Sequence, residues 1–189
     1  MRHLITCSLL FIVVPAFTTP TIFKTQQLYT ISGNNGEELR QQMDALGPNI
    51  NNEHFDAQTI WHIGWHYTWH FDDISQNPCY ITNSSVNVTI TLYFPHWINQ
   101  TSAPIDLKTK WIRYITALEN HEKQHESNGI RAAKAIEDAL LKIPKMPNCD
   151  ALKEKIDETV KATLNQYHLW DQHYDIETNH GKKQGATFP

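Results

Sequence analysis

The chain has 189 residues, of which 40 % are hydrophobic and 19 % charged, and its formal net charge is −4. That length fits one domain with a core of its own, and the apolar content excludes an intrinsically disordered chain. The mild acidity gives no electrostatic footprint for nucleic acid, so no nucleic-acid partner is expected.

The first segment reads as an export signal. Arg2 and His3 supply a positive start, and Leu4 to Phe17 is apolar apart from Thr6 and Ser8. Val14-Pro15-Ala16 puts modest residues where a cleavage site after Ala16 needs them, so residues 1–16 are expected to be a signal peptide. The apolar run is short for a bilayer, and no second run of about 20 apolar residues follows. A secreted or periplasmic protein is therefore expected, with no membrane span once the leader is removed. Residues 17–27 read as an N-terminal tail and 28–189 as a single domain.

Within that domain Leu28 to Ser32 is a short strand candidate, and Glu37 to Leu46 reads as a helix ended by Gly47-Pro48. Asn49 to Asp56 is polar loop. Ala57 to Phe71 alternates with period two. Thr59, Trp61, Ile63, Trp65, Tyr67 and Trp69 share the face expected to pack on a core. His62, His66 and His70 share the other, where a half-exposed surface explains them better than a common metal, since strand neighbours four apart are about 13 Å from each other. Tyr80 to Phe94 alternates again and is expected to pair antiparallel with the first run, with Pro95-His96-Trp97 ending it.

Ile105 to Ile143 carries one long helical pattern. After Pro144 to Pro147, Asn148 or Asp150 caps a second helix with the stripe Leu152, Ile156, Val160, Leu164 and Tyr167, reaching about Tyr174. These elements predict an α+β fold: a small antiparallel sheet packed on a long helix and a second C-terminal helix. Cys7 leaves with the leader, so Cys79 and Cys149 remain as an even pair in an oxidising compartment and are expected to form one disulfide.

His121-Glu122-Lys123-Gln124-His125 is an HExxH run inside the long helix. Residues four apart on a helix lie about 40° apart and one turn along the axis, so both imidazoles can reach one Zn2+ ion. Glu122 beside them is placed as the general base. Asn128 and Arg131 occupy the positions where an extended motif would carry Gly and a third His, so the third ligand comes from elsewhere. The run from Tyr174 to Gly181 offers Asp175, Glu177 and His180, and chemistry alone leaves the three open.

The blocks YTISGNNGEELRQQMDALGP at 29–48, TIWHIGWHYTW at 59–69, FPHW at 94–97, HEKQHESNG at 121–129 and YDIETNHGKKQGATFP at 174–189 resemble the bacterial predicted secreted zinc-dependent proteases. The resemblance covers most of the chain after the leader. It implies a zincin-like fold and His180 as the preferred third zinc ligand, with Asp175 as an outer partner or alternative and Glu177 at a variable position. Cysteines recur near Cys79 and Cys149, which supports the disulfide.

The expected function is hydrolysis of peptide bonds by zinc-activated water, with Glu122 as general base, Tyr174 as a hydrogen-bond donor to the oxyanion, and a peptide or protein as substrate. The alternatives are a non-peptidase amide hydrolase, or an envelope protein whose zinc only joins two helices. An open fourth coordination position separates the hydrolases from the last.

Overall fold

The computed structural model describes residues 19–72, 74–75 and 77–189; the expected signal peptide lies outside them. Strand β5 (Cys79–Trp97) is the centre of a three-stranded sheet of order β1-β5-β4, with β1 at Thr21–Ile31 and β4 at Gln58–Phe71. Val86, Val88, Ile90, Leu92 and Phe94 point to one face and are buried, while the alternate residues stay at least partly open. Helix α2 (Ile105–Leu140) packs across that face of β5 and β4, and helix α3 (Cys149–Thr178) packs on α2. The mixed α+β architecture is the one expected, and β4 pairs antiparallel with β5. Among the described residues no helix is long and apolar enough to cross a membrane.

Several details differ from the sequence reading. The tail expected at 17–27 is strand from Thr21 onward, and it pairs parallel to β5, so the sheet is mixed rather than wholly antiparallel. Thr21 to Leu28 are exposed on both faces, so no apolar alternation marks them; the backbone ladder places them, with Lys24 paired to Glu126 at 2.6 Å. The loop at 49–56 contains a minimal antiparallel pair, β2 (Asn49–Ile50) with β3 (Glu53–His54). The aromatic face of β4 is core only at its start: Trp61 is 6 % exposed, whereas Trp65 is 37 % and Trp69 54 %. Finally, β5 runs on through Pro95 to Trp97, and α3 continues past Tyr174 to Thr178.

Two local devices fix the frame around the helices. Helix α1 (Gly36–Leu46) starts at Asn35, whose side chain accepts from the Glu38 amide, while Glu38 accepts from the amide of Asn34. Asn148 caps α3 by accepting from the Ala151 amide. The next residue, Cys149, is disulfide-bonded to Cys79 across a sequence separation of 70. A loop closed at that length stabilises the fold by roughly 4 kcal/mol in the chain-entropy account. The C-terminal segment is not loose either. Phe188 is buried against Trp111 and Tyr114.

Candidate metal centre

The buried stripe of α2 runs through Trp111, Tyr114 and Leu118 and continues as His121, Glu122 and His125 before returning to Ala132 and Ile136. His121, Glu122 and His125 are 3 %, 4 % and 7 % exposed. Polar groups buried on an apolar stripe need partners, and α3 supplies one to each histidine. Asp171 and Asp175 lie four residues apart on α3, opposite the two histidines four apart on α2.

Three atoms converge. Asp175 Oδ1 stands 3.1 Å from His121 Nε2 and 3.0 Å from His125 Nε2, and the two nitrogens are 3.3 Å apart. His121, His125 and Asp175 form the one group among the described residues with three donor atoms close enough for a metal ion. Ligand atoms on a tetrahedral ion at zinc–nitrogen distances stand about 3.3 Å apart, so the triangle has nearly the right size.

The far side of each ring is also engaged. His125 Nδ1 donates to Asp171 Oδ1 at 2.8 Å, and His121 Nδ1 donates to Gln184 Oε1 at 3.0 Å. With the hydrogens held there, both Nε2 atoms turn lone pairs toward a carboxylate oxygen. That arrangement repels unless a proton or a cation sits among the three. Without a metal the proton is favoured. Burial would lower the His125 pKa, but hydrogen bonds to Asp171 and Asp175 outweigh it and push it up to about 10. Asp175 answers in kind: burial would raise its pKa, and the two imidazoles hold it well below the ordinary carboxylate range.

Further contacts fix the surroundings. Trp61 Nε1 donates to Asp171 Oδ2 at 2.8 Å, joining β4 to the same carboxylate. The Tyr174 ring lies flat on His121, 4.9 Å between centroids and 12° between planes, and its hydroxyl donates to Gln184. Gly181, at φ +79°, leaves room for His121, since a Cβ there would come within 3.0 Å of its Cγ. Asn128, wholly buried, donates to the Tyr167 carbonyl and clamps α2 to α3.

Glu122 faces the same cleft, and its Oε2 accepts from Thr59 Oγ1 at 2.7 Å. Burial raises its pKa above the ordinary value, against the pull of Thr59 and the two imidazoles. The cleft has a volume of about 910 Å3 and is walled by the start of β4, by α2 and α3, by the segment around Phe55 and by the C-terminal turn. The cluster therefore opens on a space large enough for a small ligand.

His121, Glu122, His125 and Asp175 thus come together as the sequence allowed, with Asp175 in the place that the resemblance gave to His180. Left-handed turns at Asn179, His180 and Gly181 swing the chain away after α3. His180 Nδ1 stops 3.7 Å from Asp175 Oδ1, its side chain is 47 % exposed, and its ring meets Phe55. Glu177 is exposed and stands apart from the cluster. His62, His66 and His70 are exposed on β4.

Asp171, Gln184 and Thr59 escaped sequence reasoning. Asp171 had a usable signal, one turn before Asp175 on the same face, which ending the helix near Tyr174 concealed. Gln184 had none, because a 3-10 turn between two left-handed glycines, Gly181 and Gly185, brings it back to His121.

Comparison with curated proteins and with solved structures gave no match. A family model described as "Bacterial protein of unknown function" matches residues 26–181, a span that holds most of β1, the rest of the sheet, both long helices and the whole His121–His125–Asp175 cluster. The chain belongs to this bacterial family, DUF922.

Proposed function

We propose that this chain is an exported zinc-dependent hydrolase of peptide bonds. One observation carries the reading: two imidazoles and a carboxylate converge at 3.0–3.3 Å, each ring held from behind, on the wall of an open cleft that also contains a buried glutamate. His121, His125 and Asp175 would hold the ion. Two nitrogens and one oxygen suit Zn2+, and three protein ligands are the pattern of catalytic rather than structural zinc. When bound, such an ion supplies Lewis acidity and brings the pKa of a coordinated water to about 7.

The chain's own residues do the rest. Glu122, with a pKa raised by burial, takes a proton from the attacking water as its oxygen bonds to the scissile carbonyl carbon, and passes it to the amine released when the C–N bond breaks. Thr59 holds Oε2 of that carboxylate in place. Asp171 and Gln184 fix the tautomers of His125 and His121. Tyr174, stacked on His121 and bonded to Gln184, belongs with these positioning residues. β4 is an edge strand of its sheet and enters the cleft at Gln58 and Thr59, which favours an extended peptide laid beside it. The Cys79–Cys149 disulfide accords with export.

The test is metal analysis of the wild type and Glu122→Gln, each reconstituted with Zn2+ and incubated with a peptide library. The expected result is one zinc per chain in both and cleavage by the wild type alone. Failure to take up zinc overturns the reading. Hydrolysis by Glu122→Gln removes Glu122 from the chemistry.

A further inference from the structure

Helix α3 and strand β4 run in opposite senses past each other. At one end Asp171 and Asp175 face Thr59 and the metal cluster; at the other Asp157, Lys161 and Leu164 face Trp65. On α3 these residues recur at spacings of three and four, so they share one face of the helix. Midway, the His168 ring lies flat on Trp61, 4.3 Å between centroids and 6° between planes.

At the far end is a second groove of about 310 Å3, where Trp65, Val160 and Leu164 meet Asp157, Lys161, Asn165 and His168. Trp65 continues the stripe that Trp61 begins, yet it is 37 % exposed where Trp61 is 6 %. A tryptophan left open in a built groove, in line with a cleft, marks a place for an apolar group.

We propose that this groove is a distal subsite of the same cleft, taking an apolar or aromatic side chain of an extended peptide substrate. The proposal rests on the peptide-hydrolase reading above. Three observations carry it. Among the described residues, β4 has no strand beyond its outer edge, so its backbone is free to pair with an added strand. From Thr59 to Trp65 the strand advances about 20 Å, the reach of roughly six extended residues. The groove's surface is mostly apolar, and the charges of Asp157 and Lys161 that line it are opposite, so it favours neither sign. A substrate that fills it extends about six residues to one side of the scissile bond, and shorter peptides do not reach it.

The experiment uses the zinc-loaded full chain and nested peptides, from four residues to twelve, extended on either side of a cleaved bond. One series carries phenylalanine and the other aspartate about six residues away from that bond. The readout is the ratio of kcat/KM between long and short peptides. In the wild type the phenylalanine series should rise by about tenfold as the peptide reaches the groove, the size expected of a buried aromatic anchor. Trp65→Ala should erase that rise. Asn165→Trp, an exposed helix position at the groove that can be filled without touching the core, should erase it too. A long-to-short ratio near one in the wild type, or one unchanged in both variants, overturns the subsite while leaving the hydrolase reading intact. Cleavage of no peptide at any length removes both.

Discussion

Asp171 stands 2.8 Å behind His125, on the opposite side of the imidazole from Asp175. One carboxylate thus sets which nitrogen of the ring carries hydrogen and which offers a lone pair. Its other oxygen is held by Trp61, so a strand residue orients a helix residue through a third element.

Asp171→Ala should weaken zinc binding by about 10- to 100-fold, the usual loss when the outer partner of a metal-binding histidine goes. Trp61→Phe keeps a ring in place and loses only the hydrogen bond to Asp171, so its loss should be smaller. Chelator competition on both variants checks the order. Equal affinity in Asp171→Ala and wild type would mean that His125 is not a ligand.

Asp175 and His180 separate by the same measurement. Asp175→Ala removes the atom at which both Nε2 nitrogens converge and should abolish stoichiometric zinc. His180→Ala removes an exposed ring 3.7 Å from that atom and should leave the stoichiometry at one ion per chain. Zinc lost from His180→Ala and retained in Asp175→Ala would reverse the assignment.

The helical half of the site was legible in the sequence because its signal is periodic. His121 and His125 recur on an apolar stripe, and their spacing alone puts both rings on one side. The partner half was less so. Asp175 is one of three candidates and Asp171 one acidic residue among many until α3 is known to reach Thr178. The sheet shows the same divide. β4 and β5 announce themselves by alternation, whereas most of β1 has no buried face and is fixed chiefly by backbone hydrogen bonds, which leave no mark on side-chain order. The exposure of Trp65 and Trp69 follows from where α2 and α3 lie, a fact of packing that the alternation of one strand cannot hold.

Acid should act through Asp56. Arg40 forms a forked ion pair with it, and Tyr114 donates to Oδ2 at 2.6 Å. Burial would raise the Asp56 pKa, but Arg40 and Tyr114 outweigh it and hold it below the ordinary carboxylate value. A group lowered on folding stabilises above its unfolded pKa, and that contribution fades as pH falls through the folded value. Stability measured by urea unfolding should therefore drop below about pH 4, and Asp56→Ala should flatten that limb while costing about 2 kcal/mol at pH 7. The alkaline side runs the other way. Burial and Asp56 raise the pKa of both Tyr29 and Tyr114, so their contribution is whole below their unfolded pKa of about 10 and fades above it. An acid limb identical in Asp56→Ala and wild type would place the responsible carboxylate elsewhere.

Gly129 tests whether the Trp61–His168 stack and the metal centre share one support. A Cβ at this position would come within 2.6 Å of Trp61 Cγ, and Trp61 has no easy retreat, because His168 covers its other side and Asp171 holds its Nε1. Alanine is the better helix former by about 1 kcal/mol, so helix propensity alone predicts a more stable protein. Overpacking a closed core costs about 1–3 kcal/mol and should win, because the contact is with the base of a rigid ring rather than the tip of a flexible chain. Gly129→Ala should then lower Tm and weaken zinc binding together, since the displaced indole drags Asp171 away from His125. A Tm raised by the substitution would show that Trp61 moves freely and does not brace the site. A lowered Tm with unchanged zinc affinity would place the strain in the core alone and break the link from Trp61 through Asp171 to the imidazole.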